Sequence, residues 1–263
     1  MGVLNVTPDS FSDGGHYADS PAAVDAALQM VADGATFVDV GGESTRPGAA
    51  DVSVDEELAR VIPVVEALAD ATEACISVDT SKPEVMAAVI AAGADMINDV
   101  YALRRDGALE AVAGLDCAIC LMHMQGEPRT MQANPSYGDI AEEVGQFLDD
   151  RVRCCNDAGI DRSRIVIDPG FGFGKVDAHN LRLLADLGNL QSLQLPVLVG
   201  LSRKRTLGNI TGRDVADRMP AGLAVAVLAF ERGARIVRTH DVSATVDALK
   251  MAAAVNDAAR AAT

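Results

Sequence analysis

Eight short apolar runs recur along the chain, each ending in a polar or glycine-rich cluster and each followed by a stretch with helical spacing. They predict strands near 2–6, 36–41, 75–79, 95–99, 117–122, 164–168, 196–200 and 235–239. The intervening spacing predicts helices near 21–33, 53–71, 83–93, 107–113, 139–158, 178–189, 216–232 and 242–257. A polar residue stands at or just past the C-terminal end of every run: Asn5, Glu43, Asp79, Asn98, His123, Asp168, Lys204, and the pair Arg238 and His240. Parallel strands alternating with helices predict a (β/α)8 TIM barrel, whose active sites gather at the C-terminal ends of the strands. Structural caps do not need so many different polar groups at one end, so the pattern predicts an enzyme and locates its site.

The 263 residues suit one such domain, and no boundary interrupts 1–263. Helix starts are signalled by Asp19-Ser20-Pro21 and by Ser81-Lys82-Pro83-Glu84, in each case a capping residue ahead of a proline in the first turn. Gly34, Gly93, Gly159 and Gly233 each follow a helix, where a left-handed residue ends it. The connections after strands 1 and 2, 7–20 and 43–53, are long and polar for a barrel, as binding loops are. Phe11 is a lone aromatic among Gly, Asp and Ser and requires something to cover.

Composition narrows the function classes. A net charge of −16 repels phosphate backbones and anionic lipid, which argues against nucleic-acid and membrane partners. The apolar stretch MPAGLAVAVLAF falls short of the roughly 20 residues of a membrane span. No basic-then-apolar leader precedes the first strand, and five cysteines lie in predicted strands and a helix, so a cytoplasmic location is expected. Cys117 and Cys120 form a CxxC, but inside a strand and without a second such pair, which favours a structural role. Against the acidic background the basic run Arg203-Lys204-Arg205 and the pair Arg238 and His240 stand out. They follow predicted strands 7 and 8, where barrels commonly bind phosphate.

The strand-end residues suggest chemistry. Asp79, Asp168 and Asn98 around one mouth form an acceptor-rich ring suited to a ligand edge with several N–H donors, such as an aminopyrimidine. Helix capping is the competing role for each Asp. Lys204 offers a donor to a ligand carbonyl or ring nitrogen. Arg238 and His240, two apart on a strand, point the same way and together suit a phosphate or pyrophosphate. Asn5 is a neutral oxygen ligand for Mg²⁺ carried on that pyrophosphate. The run Gly170 to Lys175 is not a Walker A motif, because Val176 follows the lysine. It reads as a tight turn that brings backbone close to a flat ligand, with Phe171 or Phe173 against it. The four histidines lack metal-ligand spacing and no serine sits in a nucleophile elbow, which favours a mechanism without a covalent enzyme intermediate.

Eight segments in order closely resemble the bacterial dihydropteroate synthase family: GVLNVTPDSFSDGG at 2–15, DVGGESTRPGA at 39–49, SVDTSKPEV at 77–85, IND at 97–99, LMHMQG at 121–126, DPGFGFGK at 168–175, SRKR at 202–205 and RTHDV at 238–242. The resemblance implies a homodimeric barrel transferase of folate synthesis. Such enzymes condense 6-hydroxymethyl-7,8-dihydropterin pyrophosphate with 4-aminobenzoate and are targets of sulfonamides. It implies a pterin pocket of Asp79, Asn98, Asp168 and Lys204 walled by Met122 and Phe173. Asn5, Arg238 and His240 correspond to the pyrophosphate and Mg²⁺ site, and Phe11, Asp13, Thr45, Arg46 and Pro47 to two loops around 4-aminobenzoate. The implied mechanism is dissociative: pyrophosphate leaves first and the arylamine traps a pterin cation. Asp79, Asp168, Lys204, Arg238 and His240 are the implied catalytic residues.

Two features depart from the family pattern. Members carry a further short segment before the first strand, whereas Met1 all but begins it here, so an effect on stability rather than chemistry is expected. Many members also have Ser where this chain has Arg205, so a hydroxyl contact to the aminobenzoate carboxylate does not carry over. Two other readings stay open. A pterin-binding methyltransferase domain would have no need of the Arg238 and His240 grip or the STRPG loop. An inactive homologue would have lost a charged pocket residue, and none is missing.

Overall fold

A computed structural model describes residues 1–7, 20–44, 51–128 and 130–261. Strands β1 (Gly2–Asn5), β2 (Phe37–Gly41), β3 (Cys75–Asp79), β4 (Met96–Asp99), β5 (Ala118–Met122), β6 (Ile165–Asp168), β7 (Val197–Val199) and β8 (Ala234–Val237) pair in parallel, in chain order, as one sheet. Helices α1 (Ser20–Ala32), α2 (Val54–Ala71), α3 (Pro83–Ala91), α4 (Ala108–Ala113), α5 (Ile140–Asp157), α6 (Asp177–Ala185), α7 (Arg205–Thr211), α8 (Met219–Glu231) and α9 (Val242–Ala261) alternate with them. The sheet curls until its edges meet. Val3 N donates to Thr239 O at 3.1 Å, Thr239 N donates to Met1 O at 2.9 Å, and Gly2 bridges Thr239 in parallel.

The period-two alternation of the strands builds two cores. Val38, Val40, Ile76, Val78, Ile97, Ile119, Leu121, Ile165, Ile167, Val197 and Val199 turn outward and are buried against the helices. The alternate positions Met96, Cys120, Val166 and Leu198 pack with Met1, Phe37, Cys75, Ala118 and Ile236, which fills the inside of the curl. The inward face changes character along the strands. Phe37 and Cys75 give way to the paired Asp39 and Ser77, and these to Gly41 and Asp79. The ladder then sets Asn5 level with Gly41, Gly41 with Asp79, and Asp79 with Asn98. An apolar floor therefore carries a polar layer at the C-terminal ends of the strands.

The expected elements all form, with three differences. The segment 205–211, for which the spacing predicts no element, forms α7, whose TLGNIT stretch carries neither strong propensity nor amphipathic period. The expected helix 178–189 stops at Ala185 and continues as a 3₁₀ turn over Leu187–Leu193, and the expected 216–232 helix is split after a 3₁₀ turn over Val215–Asp217. At α3 the proline sits in the first turn as expected, but the cap is Lys82, with no side-chain cap bond from Ser81. Gly34, Gly93, Gly159 and Gly233 hold positive φ after their helices. The two long loops fall largely on 8–19 and 45–50, outside the described residues. Among the described residues no helix is long and apolar enough to cross a membrane.

Candidate functional site

The polar layer centres on Arg238. It lies just past β8, two residues beyond the inward Ile236, and its guanidinium reaches across the interior rather than out to solvent. Its Nε donates to Asp39 Oδ2 at 2.6 Å and its Nη2 to Asp79 Oδ2 at 3.3 Å. Asp39 also accepts from Ser77 Oγ at 2.6 Å and from Asn98 Nδ2 at 3.1 Å. Burial pushes the Asp79 carboxyl up to about 7, against the lowering pull of Arg238, with the charges of Asp39, Asp99 and Glu57 adding to the rise.

That shift has a measurable consequence. With its folded value near 7 and a usual value of 3.8, Asp79 keeps a proton in the folded chain that the unfolded chain gives up first. The stability this contributes is complete below pH 3.8 and is lost as pH rises through 7. Asp79→Asn cannot titrate, so relative to the native chain it should gain stability between pH 4 and 7, with a slope on the order of 1.4 kcal/mol per unit at most. Urea melts across that range check this; a stability difference that ignores pH would remove the shift.

Asp168 closes the other side. Its Oδ1 accepts from Gly170 N at 2.7 Å, so it holds the following turn and caps no helix. Burial raises its carboxyl to about 6, against the Gly170 bond and the positive charges of Lys204, Lys175 and Arg238. The turn it holds uses three glycines at positive φ, and a side chain at Gly170 would lie 1.9 Å from His123 O. Phe173 leaves this turn to pack with Met122, Val100, Met124, Met131 and Tyr101, and Lys204 Nζ stands 4.3 Å from the centre of its ring. Phe171, the other aromatic expected against a ligand, is instead buried in the main core.

Arg238 and His240 have different protein partners, yet they lie close enough for the Arg238 charge to act on the imidazole. Named β8 ends at Val237, and while Arg238 turns to the two carboxylates, His240 bonds Ser202 Oγ through Nδ1 at 3.0 Å and through its backbone N at 3.2 Å. Burial and the charges of Arg203 and Arg238 lower the His240 imidazole to about 4, so it is a neutral hydrogen-bonding group near pH 7. Asn5 ends β1 level with Gly41, on the rim beside Asp79. Arg205 is exposed at the start of α7. Phe11, Asp13, Thr45, Arg46 and Pro47 lie outside the described residues.

Two strand-end residues serve the scaffold. Glu43 binds Lys82, which also binds the fully buried Glu57, and Glu43 Oε1 accepts from Val52 N at 3.3 Å, tying together the two ends of the second long loop. His123 Nδ1 is 2.8 Å from Lys175 Nζ, and that buried ammonium also donates to Gly170 O at 2.9 Å and Phe173 O at 3.0 Å. Desolvation lowers Lys175 to about 7 and His123 to about 2. Lys175 and Asp39 were not singled out in the sequence, although a charged residue within FVDVG, between two valines that face the helices, signals one turned inward.

Residues 1–240 match the model of the family described as pterin binding enzyme. Dihydropteroate synthase of Escherichia coli strain K12 is 52% identical over 95% of this chain and 89% of its own length. The structure of Xanthomonas albilineans dihydropteroate synthase with 4-aminobenzoic acid superimposes with a TM-score of 0.92 at 54% identity, covering 97% of this chain and 92% of that one. The Yersinia pestis dihydropteroate synthase in a sulfonamide drug complex gives 0.93 at 48% identity, covering 98% and 94%.

Proposed function

The chain belongs to the dihydropteroate synthases of the pterin binding enzyme family, and on that premise we propose how its own residues carry out the reaction: transfer of the pterin-methyl group of 6-hydroxymethyl-7,8-dihydropterin pyrophosphate to 4-aminobenzoate. The observation that carries this reading is the polar layer at the strand ends, where Asp79, level with Asn98, bonds the Arg238 guanidinium and Asp168 feels the charges of Arg238 and Lys204. The pterin's N–H edge binds Asp168 and Asn98, with Asp79 beside them. Phe173 and Met122 form the apolar walls and Lys204 lies along the Phe173 face. Sites that hydrogen-bond a ligand edge reject analogues lacking it, because their buried polar groups are then left unpaired.

In the substitution the C–O bond to pyrophosphate breaks first, and the electron pair leaves with the pyrophosphate. Arg238 stabilises the charge building there, and His240 adds a neutral N–H donor rather than a second cation. Asp79 and Asp168 favour the pterin cation. The arylamine nitrogen then donates its lone pair to the methylene carbon and releases a proton. No enzyme nucleophile takes part. Phe11, Asp13, Thr45, Arg46 and Pro47 are proposed to enclose the arylamine.

Mg²⁺ fits the donor set as a passenger on the pyrophosphate. Among the described residues no three His, Cys, Asp or Glu side chains cluster as a metal cage. A single amide oxygen, Asn5, stands on the rim, and Mg²⁺ commonly takes one or two protein oxygens beside phosphate oxygens and water. Bound there, it would neutralise charge on the leaving group, with Asn5 holding it.

The chain acts as a single (β/α)8 barrel domain with long loops after strands 1 and 2. Its five unpaired thiols suit a reducing cytoplasm. Leu228 on α8, with Met251 and Val255 one turn apart on α9, are exposed apolar residues that suit a homodimer face, which sedimentation would show as twice 27.3 kDa.

Inhibition kinetics test the arylamine half of this reading. A sulfonamide should raise the KM for 4-aminobenzoate and leave the maximal rate unchanged, with pyrophosphate release as the assay. Inhibition that more 4-aminobenzoate does not relieve would place the drug elsewhere.

A further inference from the structure

We propose that Asp39 is a positioning residue for this transfer: its single buried carboxylate sets the Arg238 guanidinium for the leaving pyrophosphate and turns the Asn98 amide so that its carbonyl oxygen faces the pterin. The proposal rests on the functional reading above. Asp39 lies mid-strand in β2, one inward step below the Asp79 and Asn98 layer, and is fully buried. It touches neither expected ligand site directly.

Its bonds join the two halves of the site. Oδ2 accepts from Arg238 Nε at 2.6 Å and from Asn98 Nδ2 at 3.1 Å, while Oδ1 is held by Ser77 Oγ at 2.6 Å. A carboxylate only accepts, so the Asn98 group turned toward it is the NH₂, and the amide oxygen is directed away. An amide in that sense accepts from a ligand N–H; the flipped amide would oppose it. On Arg238, Asp39 takes the Nε edge and Asp79 takes Nη2, which fixes the plane of the guanidinium. A rigid donor fork costs less to orient at the moment charge develops on the leaving group. Stability alone does not explain the residue. A buried ion pair adds little over well-packed apolar side chains, and the neighbouring interior positions Phe37, Cys75 and Met96 show that this strand region accommodates them.

Asp39→Asn keeps the shape, removes the charge and offers Asn98 an NH₂ that invites the flipped amide. Calorimetry on the full chain with two separate probes reads the two halves: inorganic pyrophosphate with Mg²⁺, and 6-hydroxymethylpterin, which carries no phosphate. Both affinities should fall about tenfold or more. At saturating substrates kcat should fall while the KM for 4-aminobenzoate stays within about twofold, a split that general loosening of the fold would not produce. Ser77→Ala, which frees Asp39 without touching Arg238 or Asn98, should weaken both probes in parallel by about two- to fivefold, and it supplies the answer if Asp39→Asn does not fold. Native binding of both probes from either variant, or loss of melting temperature alone, would overturn the role of Asp39. Failure of the unmodified chain to bind either probe would instead overturn the functional reading.

Discussion

Arg238→Met should lower kcat by about 10²- to 10³-fold, the usual loss when one preorganised group facing developing negative charge is removed. It should also destabilise the fold by about 3–5 kcal/mol, because Asp39 and Asp79 are left as neighbouring buried carboxylates without their shared cation. The Arg238 side chain is 22% exposed, which places the expected loss toward the lower end. The loss should depend on pH with a definite sign. Arg238 lowers the Asp79 value, so removing it lifts that carboxyl further above about 7. A raised folded value contributes stability at low pH that disappears as pH rises. The variant should therefore come closest to the native chain near pH 5 and fall furthest behind near pH 8, as read by urea melts at both. A deficit of equal size at both values, or an unchanged kcat, would mean that Arg238 does not hold the two carboxylates in place.

Gly170→Ala should cost about 3–5 kcal/mol, or displace the whole 170–174 turn, for two additive reasons. The residue sits at φ +69, a strained setting for alanine, and the new methyl group would lie 1.9 Å from the His123 carbonyl oxygen. That oxygen belongs to backbone tied to β6 through His123 N bonded to Asp168 O at 2.9 Å, so it has little freedom to withdraw. Moving the turn shifts Phe173 and breaks the Asp168–Gly170 bond, so pterin affinity should drop with melting temperature. Gly172→Ala is the informative contrast. Its methyl group would meet Lys204 Cδ at 3.2 Å, part of a flexible side chain, so only the backbone cost of about 1 kcal/mol is expected. Equal melting temperatures for the two variants would show that the close backbone approach at Gly170 is not what requires glycine there.

The fold was legible because alternation is a local signal. Ile76, Val78 and Ile97 turn to the helices, while Asp79 at the end of β3 and Asn98 one residue before the end of β4 take the inward face, as period two requires. Met122 and Asp168 are set level by the same rule, whereas Phe173 and Lys204 reach each other from segments that follow strands, which alternation does not govern. What stayed hidden was pairing across the interior. Asp39 and Arg238 are 199 residues apart, and no local pattern shows that one carboxylate serves both an arginine just past the last strand and an asparagine of the fourth. Glu43 and His123 looked like equals of Asp79 because they share its place at a strand end; their partners Lys82 and Lys175 lie on following segments and divert them to the scaffold. The spacing that set Arg238 and His240 together gave no sign of their separate partners, the two carboxylates for the guanidinium and Ser202 for the imidazole.

The most direct test of the account is the stoichiometry of the reaction. Incubated with 6-hydroxymethyl-7,8-dihydropterin pyrophosphate, 4-aminobenzoate and Mg²⁺, the protein should form a product with the mass of 7,8-dihydropteroate, one molecule for each pyrophosphate released, and should release none catalytically when the arylamine is left out. Tight pterin binding without product, or pyrophosphate released in steady turnover without 4-aminobenzoate, would contradict a transferase site at this mouth.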